Sequence, residues 1–335
     1  MATINDVAKK AGVSITTVSH VINDTRFVSN ELREKVNQAI IDVGYYPNQL
    51  ARGLRSGVTA TIGLMIPDNS NPFFAEISKI IETVGFENGY SVILCNSSGD
   101  LKKEAAYIET LMSHQIDGII LISVNSTLEN LNRIKERNIP FVVVDRDFPQ
   151  YDGDTVLVNN ELGGYLATKY LIDLGHKKIA CIEGSSNVNP SSDRFKGYLR
   201  ALEESNIPFN KQYLVRGDFE YQSGEGAFEE LCSLKDRPTA IFACNDMMAI
   251  GALRKAKSLK VHIPEDISLI GFDNISFASA VSPALTTVGQ PIQELSRQAI
   301  SILINKIQNR DDVQPAKKIL LDPELVIRES CLPQN

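Results

Sequence analysis

The stretch INDVAKKAGVSITTVSHVINDTRFV, residues 4–28, reads as two short helices joined by a tight turn. Asp6 to Lys10 suit a first helix. Ala11-Gly12-Val13 suits the turn, with glycine where a positive φ costs nothing. Ser14 is placed to cap a second helix, because its oxygen can take a free backbone N–H. That helix, Ile15 to Asn23, would bury Val18, Val21 and Ile22 and expose Ile15, Thr16, Thr17, Ser19 and His20. Short polar side chains at the N-terminal end of a helix are what the DNA major groove admits. On spacing alone, the same pattern also suits a small helical cap.

Outward from this stretch, Leu32, Val36, Ala39, Ile40 and Val43 recur at helical spacing. They predict a third helix from Ser29, a possible cap, to Val43, ended by Gly44. Gln49 to Arg55 can form a turn or two of helix but have little core face, and Ser56-Gly57 reads as a joint. From Thr61 the rhythm changes. The apolar runs 61–66, 91–95, 118–122 and 141–145 are short and β-branched, with helical segments of about fifteen residues between them. A second series follows at 178–184, 239–246 and 267–273. Buried strands alternating with amphipathic helices predict parallel sheets covered on both faces. Two such doubly wound lobes enclose a cleft, and ligands lie beyond the carboxyl ends of the strands.

The 335 residues suffice for two or three domains, and 43% hydrophobic with 22% charged residues is the balance of a globular chain rather than a disordered one. No apolar run approaches the ~18 residues of a membrane span, and MATINDVAKK is polar from its start, unlike a secretory leader. Cys95, Cys181, Cys232, Cys244 and Cys331 show no CxxC spacing, so buried thiols in a reducing cytoplasm are expected. Residues 1–56 carry seven Lys/Arg and five Asp/Glu, which leaves a head of +2 on a body of −9. Such a division suits a chain whose head alone meets nucleic acid. His20, His114, His176 and His262 pair with no ligands at metal spacing. There is no Gly-rich phosphate loop and no nucleophile beside a base, so neither metal, cofactor nor catalysis is expected.

The strand ends carry a coherent set of side chains. Asn71-Pro72-Phe73-Phe74 follows the first run, and Asp145-Arg146 follows the fourth. Arg194, Phe219, Asn245 and Asp273 stand at ends in the second series, and Gln290 stands where the chain would cross back. Carboxylates, amides and guanidiniums satisfy hydroxyls that both donate and accept, while phenyl rings cover the apolar faces of a sugar.

Head, joint and lobes together resemble the LacI/GalR family of bacterial transcription regulators across essentially the whole chain. The motifs that carry the resemblance are TINDVAKKAGVSITTVSHVIN, YYPNQLARGLRSG, FACNDMMAIGAL, IPEDISLIGFDN and PALTTVGQP. Within the family the head is most similar to the purine and ribose repressors. The resemblance implies a helix-turn-helix domain over 1–47, a hinge and linker over 48–58, and a ligand-binding and dimerisation domain over 59–335. The last divides into a first lobe of about 59–160 plus 291–325 and a second of about 161–290. It also implies that Thr16, Thr17 and His20 face base edges, that Ser19, Asn23 and Tyr45 hold phosphates, and that Arg26 reaches a base or a phosphate. Gln49 to Leu54 would be a hinge helix ordered on operator DNA, with paired Leu54 side chains wedged into the minor groove and Arg55 beside them in the DNA-binding set.

The ligand pattern is similar to that of periplasmic ribose-binding proteins. Carried over residue by residue, it comprises Asn71, Phe73, Phe74, Asp145, Arg146, Arg194, Phe219, Asn245, Asp273 and Gln290. The family's purine branch has Arg and Thr where this chain has Val188 and Pro190. That branch and the enteric ribose repressor both have Trp at the position of Arg146. The resemblance therefore implies a cytoplasmic homodimeric repressor of sugar-use genes, reading a pseudo-palindromic operator and released by a small sugar, ribose first. A purine- or nucleoside-responsive repressor with a corepressor, and a phosphocarrier-dependent catabolite regulator, are the alternatives. Dimer contacts are expected on the helix after Asn71-Pro72 and on helices of the second lobe. The C-terminal sequence after Ile327 holds no heptads for a tetramer.

Overall fold

A computed structural model describes residues 2–45, 58–122, 127–146, 148, 151–185, 189–310 and 315–334. The chain divides into two compact units, Met1–Thr59 and Ala60–Asn335.

The first unit holds α1 (Ile4–Ala11), α2 (Ile15–Asn23) and α3 (Asn30–Val43). The first helix starts two residues before the expected Asp6. Thr3 and Asp6 form a capping box, each taking a backbone N–H of the other. The turn is closed by Gly12 at φ 67°, and Ser14 accepts the amide of Thr17 at 3.0 Å. Ser29 occupies the cap position of α3, but its side chain makes no capping hydrogen bond, contrary to expectation. Val7, Val18, Val21, Val28 and Val36 form the core, and Ile22 is only partly covered. Fully burying a side chain such as Val36, 0% exposed, contributes roughly 1.5–3 kcal/mol.

The second unit contains two six-stranded sheets. The first sheet is built from β1 (Thr61–Ile66), β2 (Ser91–Asn96), β3 (Gly118–Leu121), β4 (Phe141–Val144), β5 (Thr155–Val158) and β11 (Lys318–Leu321). Its order is β11-β5-β4-β3-β1-β2, parallel throughout. Around it run α4 (Pro72–Glu87), α5 (Leu101–Ser113), α6 (Leu128–Glu136) and the returning α11 (Ile292–Gln308). The second sheet contains β6 (Ile179–Glu183), β7 (Leu214–Arg216), β8 (Ala240–Ala243), β9 (Ser268–Asp273), β10 (Thr286–Gly289) and β12 (Glu324–Val326). Its order is β12-β10-β9-β8-β6-β7, with α7 (Asn160–Asp173), α8 (Asn189–Glu204), α9 (Tyr221–Ser233) and α10 (Asp246–Leu259) in the same lobe.

Two differences from the sequence reading matter. The expected return of the first lobe ran to 325, but residues 324–326 belong to the second sheet, where β12 pairs antiparallel with β10. The chain thus crosses a third time, and the crossing satisfies backbone groups along an otherwise open edge of β10. The run at 91–95 was expected to be buried on both faces. Instead β2 is an edge strand with Ile93 36% and Leu94 45% exposed.

Candidate ligand cleft and DNA-reading helix

Carboxyl ends of strands from both sheets border one cavity of about 230 Å³. That is smaller than the ~300–1,000 Å³ of clefts that take drug-sized ligands. Nine of the ten side chains expected to hold a ligand line it. Gln290 does not. It stands behind Asp273 and donates from Nε2 to Asp273 Oδ1 at 2.7 Å.

Each lining residue is set by local structure. Asn71 caps α4, its Oδ1 accepting the Phe73 amide at 3.0 Å, and the rings of Phe73 and Phe74 meet edge-to-face with centroids 5.1 Å apart. Asn245 caps α10 through the Met248 amide at 2.9 Å, while its Nδ2 donates to the Phe219 carbonyl at 2.9 Å. Arg194 is reached through a helix crossing that only glycine permits. A Cβ on Gly164 of α7 would lie 2.0 Å from the Arg194 carbonyl of α8. From there Arg194 donates from Nε to Asn160 Oδ1 at 2.8 Å and from Nη1 to the Cys244 carbonyl at 2.5 Å. Its Nη1 lies 3.5 Å from Asp273 Oδ1, and its guanidinium stacks 3.7 Å over the Phe272 ring.

Four non-glycine residues in the cavity wall adopt positive φ: Ser98 at 54°, Asp145 at 67°, Phe219 at 73° and Asp273 at 112°. Such backbone costs of order 1–3 kcal/mol each and persists where surrounding structure holds a side chain in a working direction.

The electrostatics are those of a buried polar site. Burial pushes Asp145 up to about 6 despite Arg194 and Arg146, and burial lowers Arg146 to about 10 against the opposing pull of Asp145 and Glu104. Burial also raises Asp273, with Arg194 and Gln290 opposing and Asp145 adding to the rise. Asp246 is raised by burial and then by the charge on Asp273. Its oxygens accept from Thr287 Oγ1 at 2.6 Å and the Ile275 amide at 2.9 Å, which makes it a structural tie beside the site. Asp145 Oδ1, Arg146 Nη2 and Gln290 Oε1 are buried without a hydrogen-bond partner in the protein. Buried polar atoms are otherwise almost always paired, so Asp145 Oδ1 and Arg146 Nη2, which line the cavity, are available to a polar ligand.

Several site residues were not foreseen from the sequence. Asp68, Asp218 and Glu220 line the cavity mouth. Glu104, 2% exposed, accepts from Asn130 Nδ2 at 2.9 Å and acts on Arg146 through its charge. A glutamate in the first turn of a helix reads as a solvated N-terminal residue, although its spacing to Ile108 and Leu111 puts it on the buried face.

In the first unit, Thr16 of α2 is exposed and Thr17, Ser19 and His20 are partly exposed. The Thr17 hydroxyl lies 2.8 Å from Ser14 Oγ, and His20 Nδ1 lies 2.8 Å from Thr25 Oγ1. Arg26 is exposed, beside a Phe27 that is 95% exposed. Tyr45 packs partly against the core of this unit. Asn23 ends α2. Leu54 and Arg55 lie outside the described residues.

Residues 3–48 match the family model described as bacterial regulatory proteins, lacI family, and residues 168–331 match a periplasmic binding protein-like domain. The chain is 41% identical over 331 residues to the HTH-type transcriptional repressor PurR of Vibrio vulnificus, covering 98% of each. It is 40% identical to that of Photobacterium profundum, covering 100% of each. Among solved structures, a LacI family transcriptional regulator from Enterococcus faecium with bound ribose is 31% identical. It spans 82% of this chain and 100% of its own, with a TM-score of 0.76. The lac repressor dimer bound to operator and the anti-inducer ONPF is 26% identical over 99% of each chain, with a TM-score of 0.88. A helix-turn-helix with short polar side chains on its second helix, joined to a two-lobed sheet domain with a polar cavity, thus has both its parts matched, and the chain is a DNA-binding transcriptional repressor of the LacI family.

Proposed function

We propose that this repressor controls sugar-use genes and that a free monosaccharide, D-ribose first, is its effector. The observation that carries the reading is the pair Asp145 Oδ1 and Arg146 Nη2, both buried, both unpartnered, between Phe73, Phe74 and Phe219. A carboxylate and a guanidinium side by side accept from and donate to adjacent hydroxyls, and phenyl faces cover the ring. Asp273 and Arg194 offer a second such pair at 3.5 Å. The ribose-bound relative from Enterococcus faecium supports the choice of sugar.

Thr16, Thr17 and His20 would read bases, with Ser19, Asn23 and Tyr45 on the backbone and Arg26 on a base or a phosphate. Leu54 would wedge into the minor groove between half-sites, with Arg55 also in the DNA-binding set. Two-fold symmetric operator reading requires a homodimer. The uncovered apolar side chains of β2, with Phe86 76% exposed near the end of α4, support a partner surface on the first lobe. Sugar closing the cleft would reorient the first lobes and unpair the hinges, so the sugar acts as inducer. The coupling this needs is typically 1–3 kcal/mol. Work at an operator places the protein in the cytoplasm.

A second reading, a purine-responsive repressor with a corepressor, is favoured by the PurR relatives at about 40% identity. Titration calorimetry with D-ribose and hypoxanthine separates the two. Saturable ribose binding alone supports the sugar reading, and hypoxanthine binding alone replaces it with the purine one.

A further inference from the structure

We propose that the cavity admits uncharged ligands and turns away phosphorylated ones, and that a rim of three carboxylates, Asp68, Asp218 and Glu220, makes the distinction. The proposal rests on the ligand cleft described above and narrows the class of its effector.

The charge balance comes first. The described residues lining the cavity include five carboxylates, the rim three with Asp145 and Asp273, against two guanidiniums, Arg146 and Arg194. Neither guanidinium is spare. Arg194 is opposed by Asp273 and shared with Asn160 and the Cys244 carbonyl. Arg146, 7% exposed, is opposed by Asp145 and Glu104. Its unpartnered Nη2 can donate one hydrogen bond to a neutral hydroxyl, but its charge is already balanced.

The rim is held in place from both lobes. Asp68, after β1, accepts the Ser70 amide at 2.9 Å and the Ser70 hydroxyl at 2.8 Å. Asp218, after β7, accepts the Glu220 amide at 2.9 Å. The three are close enough that Asp68 and Asp218 raise the proton affinity of Glu220, after partial burial. An entering phosphate therefore meets a mouth of one sign.

Helix N-termini are the other usual anion holders, and side chains take amides at three of those beside the cavity. One amide at the start of α4 is taken by Asn71 and one at the start of α10 by Asn245. Two at the start of α5, next to the lining residues Ser98 and Gly99, are taken by Asp100 at 2.7 and 3.1 Å. The start of α9 has no side-chain cap, but its cap residue is Glu220 itself, so an anion there meets a rim carboxylate.

The test compares the full-length protein with the triple variant Asp68→Asn, Asp218→Asn, Glu220→Gln. The asparagines keep the turn acceptors, and Glu220 is exposed, so the variant keeps its fold. Calorimetry gives the ratio of affinities for D-ribose 5-phosphate and D-ribose in each protein. The wild type is expected to favour ribose strongly. In the variant the ratio is expected to shift toward the phosphate by about tenfold or more, and less at high salt, because screened like-charge repulsion has been removed. Equal or tighter binding of the phosphate by the wild type overturns the proposal, as does an unchanged ratio in the variant. Should ribose fail to bind while hypoxanthine binds, the sugar reading falls. The rim is then judged by the same criterion on hypoxanthine and inosine monophosphate.

Discussion

Asp145 gives the cleft a pH signature of unusual sign. Its carboxyl is pushed up to about 6 by burial, against an ordinary value of 3.8. The folded protein therefore binds this proton more tightly than the unfolded chain does. Between pH 4 and 6 the group costs stability progressively as pH rises, and the cost is complete above 6. About two units at 1.36 kcal/mol each put that cost near ~3 kcal/mol. The perturbation is Asp145→Asn, and the assay is urea unfolding of both proteins at pH 5 and pH 7.5. His176, whose pKa burial lowers, contributes in the opposite direction below its ordinary value of 6.5. It is present in both proteins and cancels in the difference. The variant is expected to gain stability relative to wild type at pH 7.5 compared with pH 5, by about 1.4 kcal/mol, the part of the cost that develops above pH 5. Effector binding carries the same signature. If a sugar hydroxyl donates to the carboxylate, the free site must lose its proton first. Affinity should then fall about tenfold at pH 5 through Asp145, one unit below the group's value, and Asp145→Asn should lose that share of the dependence while keeping the share of Asp273, which burial also raises. A wild-type affinity flat from pH 5 to 7.5, or a stability difference of opposite sign, refutes the reasoning.

Further outcomes follow from individual side chains. Asp273→Ala removes the partner of a guanidinium in a pair whose side chains are only 5–6% exposed. Because Arg194 keeps two other acceptors, denaturation should show a loss near the lower end of the ~3–5 kcal/mol typical of a broken buried pair. Anisotropy on operator DNA should show retained binding without response to effector. Gly184→Ala would set a Cβ 2.2 Å from the Phe219 ring, so calorimetry should show effector affinity down at least ~10-fold for an overpacking cost of about 1–3 kcal/mol. Thr16→Ala should reduce discrimination between operator and a base-substituted operator by about tenfold, ~1.4 kcal/mol, in competition binding. Leu54→Ala should weaken operator binding while leaving weak, salt-sensitive binding to random duplex intact. Unchanged operator affinity in that variant would remove Leu54 from the interface.

Which parts of the molecule were legible in advance follows from where the information sits. The bounds of α2 and β1 match the sequence reading because both carry strong local signals, a serine cap before an apolar helical period and a short apolar run with β-branched residues at both ends. β5, β7, β10, β11 and β12 went unforeseen. They are three or four residues long, and stretches such as TTVG and ELV owe their strand state to neighbours in the sheet. The lining of the cavity was readable because α/β sheets put ligands at strand ends, a rule of topology that needs only strand positions. Gln290 passed for a lining residue because its sequence position is right, and only side-chain packing shows it bonded behind Asp273. The rim carboxylates Asp68, Asp218 and Glu220 have no sequence signal, since exposed acids are common and their shared position depends on two lobes meeting. The positive φ of Asp145, Phe219 and Asp273 was equally hidden, because it is imposed by tertiary context on residues that do not favour it.

The central claim is that a free sugar in this cleft releases the repressor from DNA. The most direct measurement is fluorescence anisotropy of the full-length protein on an operator duplex selected from a random pool, titrated with D-ribose and separately with hypoxanthine. The account predicts that saturating ribose weakens operator binding by about 5- to 150-fold, the range of typical allosteric coupling, and that hypoxanthine has no effect. Operator affinity that is indifferent to ribose and strengthened by hypoxanthine would contradict it.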